Sequence, residues 1–540
     1  MKHGLLTLAA GAATAALLLA GADAAAPRTD PATALHVLNR LTFGARPGDV
    51  DRVRQMGVTA YVDLQLYPER VADDAVQQRL AGFETLTLSS RDIAERYELP
   101  LLAARLAARR TGQTGSTGPA APPQGQERRR PGSTQRRANL PMLELGQQKL
   151  LRAVYSERQL EEVLTDFWFN HFNVDARKGP TRFMLTEYER DAIRPHVLGS
   201  FRELLGATAK SPAMLFYLDN WMNAAPGATQ ATRMDTNAQR SRAFRRRGSA
   251  TVDPGRLRTP DGASAARQRR NGLNENYGRE LLELHTLGVD GGYTQQDVTE
   301  VARAFTGWTI DRPRAGGGFR FVLALHDDGE KVVLGHRIKA GGGERDGEQV
   351  LDLLAAHPAT ARFISMKLAR RFVSDTPPPA LVARMAESFT ASGGDLRTVM
   401  RVLLTSAEFL SADHHHAKVK TPFEFVVSAL RASGATVTDA RPLVQTVQQL
   451  GMPLYQCQPP TGYTDAADAW VNTGALVNRM NVALQLARGE LRGVSVPELR
   501  DAAALIQGPV SEATRTTLAR AQSQPQSVAL ALGSPEFQRR

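Results

Sequence analysis

Apolar residues recur along most of this 540-residue chain at the three- and four-residue spacing of amphipathic helices. The pattern predicts helices over 31–44, 47–66 and about 90–110, then over Leu140–Tyr155. Ser156 and Gln159 have the spacing of a capping box that would open the next helix. There Leu160, Val163, Leu164, Phe167, Trp168 and His171 fall at offsets 0, 3, 4, 7, 8 and 11, which places His171 on the buried stripe. Further helices are expected at 185–207 and 211–223, from 274 onward, from a Thr294/Asp297 cap, and over 347–435 and 440–540. Ser211, Ser406 and Ser534 stand where helix N-caps are expected, followed by residues that suit a first turn. Only residues 319–338 alternate, on both sides of Asp327-Asp328-Gly329, and these predict a β-hairpin. The expected fold is predominantly α: one large multi-helix domain over 27–540 with a single small hairpin insertion.

One position breaks the apolar pattern. With Tyr277 at zero and about 100° per residue, Leu273, Leu281, Leu284, Leu287 and Gly288 share an arc that also contains Glu280. A carboxylate there needs a hydrogen bond, a cation or a metal. Arg40, Arg303 and Arg479 are the expected ion-pair partners.

The ends and the charge add location. Lys2, the apolar run Leu5–Leu19 and the small residues Ala22 and Ala24 read as a secretory signal peptide over 1–26, with a periplasmic or secreted destination. No later run is long and apolar enough to span a membrane. With one cysteine, Cys457, the chain cannot close an internal disulfide and depends on its core. Segments 111–137 and 231–270 carry +4 and +8, the whole net charge of +12. Both are rich in Gly, Pro, Ser, Thr and Gln, so they are expected as flexible basic insertions that touch anionic envelope polymers or lipid headgroups. A specific nucleic-acid face, which would interleave basic and ordered contact groups, is not expected.

The phrases LNRLTFGARPGDV, FWFNHFNV, SPAMLFYLDN, NENYGRELLELHTLGVDGGYTQQDVTEVARAFTGW, HDDGEKVVLG, KVKTPFEFVVSALRASG and GALVNRMNVALQLA resemble, in order and over nearly the whole mature chain, the bacterial "domain of unknown function 1800" family. The resemblance implies an exported, largely helical protein, often encoded beside a second exported family similar to the alkaline phosphatase and sulfatase superfamily. It implies no activity.

Two chemistries fit the polar residues. In the first, His171, Glu280, His326 and Asp327 bind a divalent zinc, iron or manganese ion, with Asp175 in reserve. Ligand spacing gives this no motif, since neither HExxH nor a repeated Glu-x-x-His is present. In the second, Glu280 is a general acid with Asp327 or Asp219 as its ionised partner, and Trp168, Asn170, Asn220, Trp308, Tyr463 and Trp470 line a sugar cleft. No GxSxG, phosphate loop or dinucleotide fingerprint occurs, and His414–His416 are expected in an exposed linker. The leading expectation is an envelope or secreted enzyme-like protein acting on cell-surface or extracellular polymer. The alternative is a non-catalytic scaffold or partner of a co-exported phosphatase/sulfatase-like protein. A site requires the four residues to meet at a water-accessible cleft, whereas a scaffold requires each to be satisfied separately by an arginine or a backbone group.

Overall fold

Helix Pro31–Leu41 shows how local chemistry starts these elements: Asp30 Oδ1 accepts from the amides of Ala32 (2.9 Å) and Thr33 (3.1 Å), and Pro31 occupies the first turn. Its Leu35, Leu38 and Leu41 are buried. The computed structural model describes residues 29–113, 131–228 and 272–540. The expected signal peptide and most of both basic insertions lie outside these residues. The described ends of the first insertion are helical, because Leu99–Gln113 and Pro131–Ala138 run into it from either side. Arg105 donates to Gln135 (3.0 Å) between them.

The protein is predominantly α-helical, and one continuous apolar core takes in residues from Ala34 to Phe537. Ser211, Ser406 and Ser534 cap their helices, and Thr294 with Asp297 forms a reciprocal capping box. Ser156 and Gln159 do not. Arg158 stands at the N-cap of Gln159–His171, while the Gln159 side chain serves Phe43, Ala153 and Ser156. The run expected at 47–66 is two helices, Asp49–Met56 and Val58–Leu66, broken at Gly57 with φ 87°. The run at 185–207 is interrupted by a π segment, Tyr188–Ile193, and a 3-10 turn containing Pro195.

A hairpin across Asp327-Asp328-Gly329 does not form. β2 (Phe319–Phe321) instead pairs antiparallel with β1 (Trp308–Ile310), and β3 (Lys331–Val333) pairs with β4 (His336–Ile338). The tight turn falls at Leu334 (φ 50°) and Gly335 (φ 77°), the two positive values a two-residue I′ connection needs. A third small pair joins β5 (Thr436–Val437) to β6 (Val494–Ser495). Among the described residues, no helix is long and apolar enough to cross a membrane.

Candidate functional site

A concavity with polar and aromatic walls lies where the C-terminal end of helix Gln159–His171 meets helix Pro358–Phe372 and the loop 452–465. It has a volume of about 230 Å³. The first helix supplies Asp166, Phe167, Asn170 and His171; the second supplies Lys367, Arg370 and Arg371. The loop is tied down by short polar contacts. Asn170 Nδ2 donates to the Tyr463 carbonyl (2.8 Å), and the Tyr463 amide returns a bond to Asn170 Oδ1 (2.7 Å). Asn173 Nδ2 donates to the carbonyls of Cys457 (2.9 Å) and Pro459 (2.8 Å).

Most charges at the cleft are paired. Lys149 Nζ lies 2.7 Å from Asp166 Oδ1. Arg371 reaches Glu424 Oε1 at 2.8 Å, and Arg540 reaches the same oxygen at 2.9 Å. Burial would raise the Glu424 carboxyl, but the two guanidinium groups hold it down to about 2. Lys367 is different. Half-buried in the cleft wall, it makes no hydrogen bond or ion pair among the described residues; its ammonium lies 5.5 Å from the Phe363 ring centroid. Desolvation pushes its ammonium down to about 8, with Asp465 opposing and Arg370 adding to the shift.

His171 is 2 % exposed, and its Nε2 contacts the His285 carbonyl at 3.1 Å. A carbonyl only accepts, so this contact assigns the proton to Nε2 and leaves Nδ1 a lone-pair acceptor. Nδ1 has no partner. Burial, then the charge of Lys367, drives the imidazole well below its ordinary range, so it is neutral. Asp465, on the loop side of the cleft, carries a second buried acceptor without a hydrogen bond, Oδ2.

Of the four residues expected to share a metal, the structure brings only the neighbours His326 and Asp327 together, and both are already engaged. His326 places Nδ1 2.8 Å from the Thr306 carbonyl and Nε2 3.1 Å from Asp346 Oδ2. Asp346 also binds Lys331 Nζ at 2.7 Å, and all three side chains are fully buried. Asp327 is clamped by Arg303, Nε to Oδ2 at 2.9 Å and Nη2 to Oδ1 at 3.1 Å, and the clamp holds its carboxyl below the usual range against the effect of burial. Among the described residues, no group of three or more His, Cys, Asp or Glu side chains is arranged to hold a metal ion. The expected zinc, iron or manganese ligands therefore do not fit such an ion as a set. Asp175, the reserve ligand, pairs with Arg177 at 3.0 Å.

Glu280 is half-buried rather than buried: it ends helix Asn276–Glu280, whose Tyr277 and Gly278 face the core, and in the π segment that follows, Leu281–Thr286, Leu282 and His285 turn inward where a regular wheel places Leu284. None of Arg40, Arg303 and Arg479 pairs with it: they bind His414, Asp327 with Glu300, and Gln538 with Lys420. Burial and then Glu283 raise its carboxyl, opposed by Arg279. It does not line the cleft. Asp219, the other expected partner, is bound by Lys178 (2.8 Å). Trp168 and Trp308 are core residues at 0 % exposure, and Asn220 staples the Phe305 and Trp308 carbonyls. Of the expected cleft residues, Asn170 and Tyr463 do line it, with Trp470 behind Tyr463 at 6.0 Å between ring centroids. The His414–His416 run is half-buried rather than an exposed linker, with His415 stacked on His36 at 4.5 Å.

A family model described as a protein of unknown function (DUF1800) matches residues 36–539. The chain belongs to this family. No curated protein and no solved structure matches it.

Sequence reasoning singled out His171 but passed over Lys367, Arg371 and Asp465. A signal for two of them was present. Ile364, Lys367, Leu368, Arg371 and Phe372 follow the i, i+3, i+4, i+7, i+8 stripe of their helix, so two cations interrupt a core-facing face just as Glu280 interrupts its arc. Asp465 had no such signal, because it lies in a loop.

Proposed function

We propose that this DUF1800 protein is exported and that the cleft around His171 and Lys367 binds a small anionic organic ligand, the class that includes a terminal uronate of an envelope or extracellular polysaccharide. The observation that carries this reading is the unpaired Lys367 ammonium beside Arg370, which forms no salt bridge. The other cations at the cleft have carboxylate partners, so these two leave an excess positive charge in a partly desolvated concavity. At about 30 Å³ per water the cleft holds on the order of eight waters, the bulk of one sugar ring. The walls of Phe167, Leu454 and Tyr463 suit a ring face. Neutral His171, with Nδ1 free, supplies an acceptor for a ligand hydroxyl. The basic insertions would add long-range attraction to anionic polymer, and residues 1–26 the export signal.

Titration calorimetry of the mature chain with galacturonate, and with galactose as the uncharged control, tests the binding claim. The expected result is binding of galacturonate alone, weakened by salt and lost in Lys367→Met. Equal heats for both sugars, or none, would overturn it. The separate satisfaction of His326 and Asp327 favours a second reading, a helical scaffold for a co-exported alkaline-phosphatase-superfamily-like partner. That reading predicts no sugar binding. Fractionation of cells expressing the chain with and without residues 1–26 tests export: only the former should leave the cytoplasm.

A further inference from the structure

We infer that Lys367 is a carbonyl-reactive amine and that the ligand class is a carbonyl compound bearing a carboxylate, such as a 2-oxo acid or the open-chain reducing end of a uronate. This deepens, and rests on, the reading of the cleft as an anion site. The geometry is that of an amine without a hydrogen bond or a close counter-ion, Asp465 acting on it only from a longer range. Lys367 lines an open concavity of about 230 Å³ and lacks a hydrogen-bonding or ionic partner among the described residues. The other lysine of the cleft wall, Lys149, is paired with Asp166, and nearby Lys418 with Asp375 and Asp465; Lys420 has no ionic partner among the described residues, but it lies over the Phe537 ring and lines a different cavity. The charged and titratable groups around Lys367 are Arg370 on its own helix, Asp465 on the loop, and His171 and His285, both of which feel its charge. Two of these point toward chemistry. His171 Nδ1 and Asp465 Oδ2 are buried acceptors without hydrogen bonds. Buried acceptors left open on residues that line the cavity ask for donors on a ligand.

The step balances without a co-reactant. The neutral amine, present in quantity near pH 8 because desolvation lowers the ammonium to about 8, attacks the carbonyl carbon, and the C=O π pair moves to oxygen. Proton transfer from nitrogen to that oxygen gives the carbinolamine. Loss of hydroxide, taken up with a proton as one water, gives the protonated imine. The Arg370 guanidinium faces the ligand carboxylate, and His171 Nδ1 accepts from a neighbouring hydroxyl.

The test is reductive trapping. The full mature protein is incubated with glyoxylate and sodium cyanoborohydride, alongside glycolaldehyde, the uncharged aldehyde, and the modified lysines are mapped by peptide mass spectrometry. The expected result is preferential reduction onto Lys367 at least tenfold over the exposed Lys339, with glyoxylate favoured over glycolaldehyde and labelling of Lys367 rising through about pH 8. Lys367→Arg should abolish the adduct, and galacturonate binding by the wild-type chain, measured in parallel, reports the anion cleft independently of the imine. The pH profile of wild-type labelling needs no variant and stands if the variants fail to fold. Adducts spread over surface lysines, with Lys367 unlabelled, would overturn the imine. If galacturonate still binds in that case, the anion cleft survives alone; if it does not, both readings fall.

Discussion

His326, Lys331 and Asp346 share one buried oxygen, Asp346 Oδ2, and this trio joins β3 and the preceding turn to helix Glu344–Ala356. Removing the carboxylate would leave a buried ammonium without its counter-charge, so Asp346→Ala is expected to cost about 3–5 kcal/mol, read as a lower urea midpoint. Buried histidines set the acid limit. Burial holds His36 down to about 2 and His285 down to about 3, while His171 is driven well below its ordinary value. Folded-state values below the unfolded 6.5 mean that the unfolded chain takes up protons first, so stability is full above about pH 6.5 and declines as pH falls toward 3. Thermal melts from pH 7.5 to 4 should show that decline, and His285→Phe should flatten it; a constant Tm would contradict the assignment. Lys367 acts at the other end of the scale. Anion binding should weaken as pH rises through about 8, where its charge is lost. At this scale the sequence identified His171 correctly as a stripe residue but mistook His326 and Asp327 for open ligands. Whether a polar side chain is already satisfied depends on Arg303 and Asp346, which come from other elements.

Helix identity and most caps were legible because they depend on neighbours within four residues. Thr294 with Asp297 and the three serine caps are examples. The misplaced hairpin and the arc drawn through Leu284 share a different cause. β2 finds its partner in β1 across a loop, and the π segment after Glu280 shifts a wheel drawn at constant angle. Neither a long-range register nor an i→i+5 turn leaves a periodic trace. Packing between elements also explains Gly347. A Cβ there would sit 2.6 Å from the Trp308 ring, so Gly347→Ala must push helix Glu344–Ala356 off the fully buried indole. The expected cost is about 1–3 kcal/mol, with a changed near-ultraviolet signal from Trp308. Unchanged stability would show that the helix shifts freely.

Across the whole molecule, the predominantly helical architecture followed from periodicity, whereas the cleft did not. Its walls come from residues near 149, 166–173, 367–371 and 452–465, segments far apart in the chain and united only by the common core. The Glu424 centre stands behind it, binding Arg371 of the cleft wall and Arg540. Glu424→Ala should therefore cost about 3–5 kcal/mol and weaken ligand binding together, because two buried guanidinium groups lose their shared carboxylate. Glu424→Ala with wild-type stability would refute that linkage. The most direct measurement is a crystal structure of the mature chain soaked with galacturonate. The expected result is a sugar ring in the cleft with its carboxylate against Lys367 and Arg370 and a hydroxyl at His171 Nδ1. Ordered sugar bound elsewhere, with the cleft holding only water, would contradict it.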